Sequence, residues 1–401
     1  MLNERIVADI VNLADHAPFY LYDGTQLEDS LNQLQKLSSI ASIYYAMKAN
    51  PHVKVVKSAL RHASISGIEI ASAGEAETCL SAGEKSLEKI IYTGPGKTFN
   101  DLQFVIENNV SLITIESLLE AHRINMIANR LGRIQDVLLR INTSLEIHGA
   151  SKQLTSNTDP SAFGVDEEQA AFVLSQVNDL KNVCIRGIHT YSATGVLDAR
   201  ALGESITYSL DLFSKLKKET QISFDVLDLG GGFGIDYPGD SAFDVDTYEQ
   251  LLRQNIFDYG LTDIKLFLEL GRFIAAPMGY FVTPITDIKK SHGKKVVVCA
   301  AGTNAHKRPQ VLDIKYPIDI IPLDLPDLYS LQNSVDNEYA KVVGPLCTSV
   351  DVLHQNIFLP SARVGDLLVM SKSGAYGYTM SPTKFLSNDK TKEVFLEKQN
   401  E

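Results

Sequence analysis

From about residue 42 onward, short apolar runs alternate with segments whose apolar residues recur at i, i+3 and i+4. The runs are "SIYYAMK" (42–48), "GIEIAS" (67–72), "KIIYTG" (89–94), "LITIES" (112–117), "VLLRIN" (137–142), "IRGIHTY" (185–191), "FDVLDLG" (224–230) and "KLFLELG" (265–271). The intervening segments have the helical period. They include "HVKVVKSALRH", "AGEAETCLSAG", "NDLQFVIENN", "SLLEAHRINMIANRLG", "EEQAAFVLSQVNDL", "LGESITYSLDLFSKLKKE" and "DTYEQLLRQNIFDYG". Several runs are apolar on both faces, as a parallel sheet covered on both sides requires. The simplest closure of eight such strands is a TIM-type (β/α)8 barrel, and the length suits one. An open doubly wound sheet has the same local pattern; we favour the barrel.

After Arg272 the pattern changes to strands with short turns: "GYFVTPITDIKK", "KKVVVCAAG", "AKVVGPLC", "DVLHQNIFLP", "GDLLVMSK" and "EVFLEK". This predicts a second, all-β domain, to which "PFYLYDG" (18–24) adds a strand. The expected division is a barrel over 25–275 and a β domain made of 1–24 and 276–401. The polar stretch 143–164 follows the fifth strand and is expected to lie over the barrel mouth.

A formal net charge of −12 argues against a nucleic-acid groove, which needs a surplus of Lys and Arg on one face. Cys79, Cys184, Cys299 and Cys347 form no CxxC pair and no metal spacing, so free thiols in a reducing compartment are expected. The N-terminal stretch carries charges where a signal peptide needs an apolar core, and no apolar run is long enough to span a bilayer. A soluble cytoplasmic protein with no metal, nucleic-acid or membrane partner is the expectation.

Catalytic groups of a (β/α)8 barrel sit where strands end and the following loops begin. Lys48 ends the first strand, Glu69 and Ser72 the second, His189 and Ser192 the sixth, and Glu269 with Arg272 the eighth. Gly230, Gly231 and Gly232 follow the seventh, where barrels often bind phosphate. Consecutive glycines let backbone N–H groups approach an anion. A plain tight turn is the alternative for "DLGGGFG". A dinucleotide fingerprint is weaker, because Pro238 and Gly239 break the helix that motif needs. "GPGKT" (94–98) is not a P-loop, since Ile91 stands where a glycine is required. Taken singly, His189, Glu269 and Cys347 are compatible with structural roles. Together, a lysine, an anion loop, an aromatic ring and a carboxylate in one phase suit pyridoxal phosphate, which bonds an amine and anchors by its phosphate.

At this point the residues match a family. "YYAMKANP", "GIHTYSATG", "DLGGGFG", "LELGRF", "GPLCTSVDVL" and "SGAYGYTMSPTKFL" resemble, in order, the fold-type III pyridoxal-phosphate decarboxylases, the diaminopimelate and ornithine decarboxylase group with its alanine racemase-like fold. The resemblance spans about residues 18–388. It implies that Lys48 holds the cofactor covalently, that His189 stacks on its ring and that Glu69 sits behind the lysine. Ser192, Gly230, Gly231, Gly232, Arg272 and Tyr376 would take its phosphate, with Gly271 in the same cofactor set, and Glu269 would face the ring nitrogen. It also implies a homodimer with shared active sites, Cys347 entering from the partner to supply a proton, and Arg308, Thr348 and Asp351 near the substrate.

Departures from the family carry substrate information. Leu270 replaces the usual proline of the eighth-strand motif, and Thr348 follows Cys347 where diaminopimelate enzymes have glutamate. Leu312 stands near their tyrosine, and Ala300-Ala301-Gly302 replaces their Asp-Ala-Gly. The chain resembles instead a specialised branch acting on amino acids joined to a carrier protein in butirosin biosynthesis or to citrate in carboxylate siderophore pathways. The expected activity is α-decarboxylation of such a conjugate. The alternatives are a decarboxylase of free diaminopimelate, lysine or ornithine, or a non-catalytic cofactor-binding homologue. Glu269 argues against a racemase.

Overall fold

The structure is a computed structural model. It describes residues 2–145, 147, 160–239, 241–324 and 334–398. Two compact units divide the chain: Glu28–Ile235 with Ser241–Ile274, and Met1–Leu27 with Asp236–Asp240 and Ala275–Glu401.

The first unit is the closed barrel. Its strands are Ser42–Ala46, Gly67–Ile70, Ile90–Tyr92, Leu112–Ile115, Gln135–Asn142, Val183–Thr190, Val226–Asp228 and Lys265–Leu270. Each pairs in parallel with the next, and Lys265–Leu270 pairs back with Ser42–Ala46, so the open-sheet alternative falls. All eight sequence runs form the expected strands. A two-residue strand, Val165–Asp166, is added beside the fifth.

Helices cover the outside, and their starts are written into the chain. The Ser72 hydroxyl accepts from the Glu75 N–H (3.2 Å), Thr98 and Asp101 form a capping box, and Ser117 accepts from Glu120 (3.2 Å). Each such cap stabilises its helix by about 1 kcal/mol. Inside, Ile91, Leu112, Leu138, Val226 and Phe267 form an apolar floor against which Tyr44 packs.

The second unit is mostly sheet. Gly279–Ser291 pairs antiparallel with Phe19–Asp23, Lys294–Cys299 and Leu367–Met370. Phe19–Asp23 also pairs in parallel with Lys392–Leu396, so "PFYLYDG" does join this sheet. Val335–Val343 and Val352–Ala362 form an antiparallel pair. Some elements lie outside the sequence reading. Strand Ile318–Ile321 is only four residues long, too short to show a period. Helix Glu4–Asn12, capped by Asn3, buries Ile6 and Ile10 one turn apart against Phe19, Leu21 and Val369. The short helix Arg308–Leu312 likewise departs from an all-β reading. The segment Asp236–Asp240 belongs here because the Lys372 ammonium donates to the Asp236 and Gly239 carbonyls (2.7 and 2.5 Å).

Most of the polar stretch expected over the barrel mouth, residues 146 and 148–159, lies outside the described residues.

Candidate active site

Parallel closure puts the C-terminal ends of all eight strands at one end of the barrel, and register decides which side chains share a level there. Arg140 pairs with His189, and His189 with Asp228, across adjacent strands. Lys48 stands in a single 3₁₀ turn, Met47–Ala49, directly after the first strand. Its ammonium lies 2.9 Å from both oxygens of Glu69, which is fully buried. The Thr93 hydroxyl also donates to Glu69 Oε1.

His189, Asp228 and Glu269 are buried, and one ligand atom from each falls within 4.8 Å of the others. His189 Nε2 is 3.8 Å from Glu269 Oε2. Burial, then the positive charges of Arg140, Lys48 and Lys97, hold the His189 imidazole well below its usual range, so it is neutral at pH 7. Burial, then Asp228 and Glu69, push Glu269 well above the carboxylate range. Burial pushes Asp228 up to about 7.

The glycine turn is tied to both acids. Gly230 N–H donates to Asp228 Oδ1 (2.8 Å), and Glu269 N–H donates to the Gly230 carbonyl (2.8 Å). Gly230 and Gly232 have φ of 66° and 118°, which favours glycine. A Cβ at Gly231 would overlap the Glu269 carbonyl. Ser192 is buried just after the sixth strand, and the buried Arg272 opens a short helix after the eighth, with Gly271 packed on Ala46 and Ala49.

Two groups went unassigned in the sequence. Asp228 was visible only as the residue before Leu229 and the glycines. Arg140 was visible as one charge inside the apolar "VLLRIN", in phase with His189. Arg140 Nη1 lies 3.3 Å from Glu116, which also accepts from Gly94 and Gly164 N–H (3.1 and 2.5 Å). Lys97 of "GPGKT" is buried against Glu120 (2.8 Å) and the Thr114 carbonyl (2.7 Å), a structural use that agrees with rejecting a P-loop.

The remaining sequence candidates lie in the sheet unit. Arg308 is buried, donates from Nε to the Tyr316 hydroxyl (3.1 Å) and lies 4.9 Å from the Tyr376 ring centre. Cys347 and Thr348 are exposed on one loop. Asp351 is tied into the sheet unit by hydrogen bonds. It is 2% exposed, Oδ1 accepts from the Thr303 N–H and hydroxyl (2.6 and 2.8 Å), and Oδ2 accepts from Leu346 N–H (2.8 Å). It latches two loops together, with both oxygens accepting hydrogen bonds.

Residues 25–276 match the family described as "Pyridoxal-dependent decarboxylase, pyridoxal binding domain". The chain belongs to the pyridoxal-dependent decarboxylases. It is 30% identical to the 2-[(L-alanin-3-ylcarbamoyl)methyl]-2-hydroxybutanedioate decarboxylase of Staphylococcus aureus, covering 95% of this chain and 94% of that protein. It is 31% identical to the L-glutamyl-[BtrI acyl-carrier protein] decarboxylase of Niallia circulans, over 94% and 88%. The diaminopimelate decarboxylase of Helicobacter pylori, solved with L-lysine, superposes with a TM-score of 0.84 at 27% identity, over 95% and 92%. The decarboxylase is therefore a carboxy-lyase with the alanine racemase-like fold, and pyridoxal phosphate is its cofactor.

The residues present fit that group. Both ring nitrogens of His189, Glu269 Oε1 and Asp228 Oδ2 are buried with no hydrogen-bond partner among the described residues. Those atoms would suit a heterocycle with a basic nitrogen, and Gly231 and Gly232 of the turn would offer backbone N–H groups to a phosphate. A histidine with two carboxylates is also a donor set for a divalent cation, while the family to which the chain belongs is a pyridoxal-binding one. No helix among the described residues is long and apolar enough to cross a membrane.

Proposed function

We propose that this decarboxylase acts on an amino acid joined to a larger group, carrier-linked or citryl-linked, in siderophore or specialised-metabolite assembly. The observation that supports this reading is the state of the loop after Cys347. Thr348 carries no charge, and Asp351, the acid nearest in sequence, is buried and held by Thr303 and Leu346. The loop therefore has no carboxylate to receive the distal ammonium of free diaminopimelate, lysine or ornithine. A conjugated side chain has no such ammonium. The S. aureus and N. circulans relatives are named for conjugated substrates.

In this reading the cofactor, once bound, supplies a covalent handle for the substrate amine and an electron sink for the bond to CO2. The Lys48 amine holds it, with Glu69 and Thr93 fixing the lysine's direction. Neutral His189 would cover the ring face, and Glu269 would meet the ring nitrogen. Gly230 to Gly232, Ser192 and Arg272 would take the phosphate, and Gly271 lets Lys48's turn pack close. Arg308 lies near the substrate. Cys347 of a partner copy delivers a proton to the site in a homodimer. The four free thiols support a reducing, cytoplasmic setting.

CO2 release from free and citryl- or carrier-linked amino acids tests the substrate. Turnover of conjugates with little of free diaminopimelate is expected; efficient use of the free amino acid overturns the reading. Lys48→Ala should leave the purified protein colourless. Mixing Lys48→Ala with Cys347→Ala protein should restore about a quarter of wild-type activity if two-fold dimers share sites; no recovery excludes sharing.

A further inference from the structure

Asp228 stands one residue before Leu229 and the glycine turn, with no role assigned to it so far. It is fully buried at the end of the seventh strand. One of its oxygens is used, since Oδ1 accepts from Gly230 N–H at 2.8 Å. The other, Oδ2, has no hydrogen-bond partner among the described residues, and neither has Glu269 Oε1 on the neighbouring strand. The two carboxyl groups and the His189 ring form a cluster whose ligand atoms lie within 4.8 Å of one another.

Two buried carboxylates so close do not both ionise unless a cation lies between them. The charged and titratable groups facing the pair are Lys48 after the first strand, Glu69 on the second, Arg140 on the fifth and His189 on the sixth, with the Tyr44 phenol near Asp228. Lys48 is already paired with Glu69, and Arg140 with Glu116. His189 is held neutral by burial. Among the described residues facing the pair, each cation is shared with another acid, so Lys48 and Arg140 offset the repulsion between Asp228 and Glu269 only in part.

We infer that Asp228 and Glu269 hold one proton between them at neutral pH, and that Asp228 is a positioning residue giving that proton a second seat so that Glu269 can carry the charge. The pair titrates as a unit, and the proton belongs to neither acid alone. Through Oδ1, Asp228 also fixes the glycine turn, so one side chain sets both the charge state of Glu269 and the position of the Gly230 N–H. Burial pushing both acids upward agrees with this.

The test is the infrared carbonyl stretch of buried carboxylic acid, followed against pH in the cofactor-free and the reconstituted full chain. Wild type, Asp228→Asn and Glu269→Gln are compared. Asp228→Asn keeps an oxygen for Gly230 N–H but cannot hold the proton. In the cofactor-free wild type a carboxylic-acid band should persist up to near neutral pH, and its midpoint should fall by about one pH unit or more in each variant. In reconstituted Asp228→Asn, kcat should drop at least about tenfold while cofactor affinity stays within about twofold of wild type, because the turn is kept. A purely structural Asp228 predicts an unmoved band, with affinity and kcat changing together. Either an unmoved band in both variants or a loss of affinity matching the loss of kcat overturns the proposal. If Asp228→Asn fails to fold, the Glu269→Gln midpoint decides alone.

Discussion

Gly271→Ala tests how closely the eighth strand packs on the turn that carries Lys48. A Cβ at Gly271 would lie 2.9 Å from Ala49 Cβ, 3.0 Å from the Ala46 carbonyl oxygen and 3.1 Å from Ala46 Cβ. Ordinary carbon contacts are about 3.5–4.0 Å, so the new methyl is about 0.5–1 Å too close on three sides. None of these neighbours is a flexible side-chain end. Ala46 and Ala49 flank Met47 and Lys48, so the relief must come from the turn itself. Overpacking of this kind costs about 1–3 kcal/mol, a Tm loss of about 2–10 °C for a unit of barrel size. Moving a reacting amine by up to about 1 Å costs up to about 100-fold in kcat/KM. The same substitution at Gly96 is the control, because nothing lies within 4 Å of a Cβ there. Gly96→Ala should stay within about 1 kcal/mol of wild type. Thermal melts of both variants, with cofactor titration and CO2-release kinetics, make the comparison. Wild-type melting and activity in Gly271→Ala would refute the claim that the glycine is needed for Lys48's position.

Other predictions concern the sheet unit and acid stability. His306 is buried, 3.0 Å from the Tyr20 hydroxyl, and burial followed by the Arg308 charge pushes it down to about 3. An unfolded histidine protonates near 6.5, so this residue's contribution is complete above about pH 6.5 and is lost as pH falls from there to about 3, at about 1.4 kcal/mol per pH unit. Urea melts between pH 7 and 4 should show a shallower acid limb in His306→Asn, and an unchanged slope would contradict the assignment. Asp351→Asn keeps one acceptor oxygen but loses the charge that meets Thr303 and Leu346. It should destabilise the protein by about 2–4 kcal/mol and speed proteolysis at the Cys347 loop; wild-type resistance and Tm would mean that the latch does not matter. Gly231→Ala, whose Cβ overlaps the Glu269 carbonyl, should weaken cofactor binding more than it lowers Tm; equilibrium titration beside a thermal melt separates the two.

The chain by itself determined the eight strands and the helices between them, while the pairing of the last strand with the first, which only the structure shows, decided for the closed barrel over an open sheet. Strand burial on both faces, the helical periods between, and Ser72, Thr98 and Ser117 at the helix starts are all local signals, and alternation of strand with helix leaves few ways to close. It also placed Lys48, Glu69, His189, Glu269 and the glycines in one phase, because a parallel strand delivers its last residues to a fixed end. What it could not give is register and partner. Whether Arg140, His189 and Asp228 share a level depends on how strands far apart in sequence slide against each other. Nothing local to Asp351 signals that Thr303, 48 residues away, donates to it. Helix Glu4–Asn12 packs not only on the neighbouring Phe19 and Leu21 but also on Val282, Leu367 and Val369, far along the chain. Periodicity reports which face of an element is buried; only the tertiary structure decides what is buried against it, and so which buried acid is spent on the fold and which stays available for chemistry.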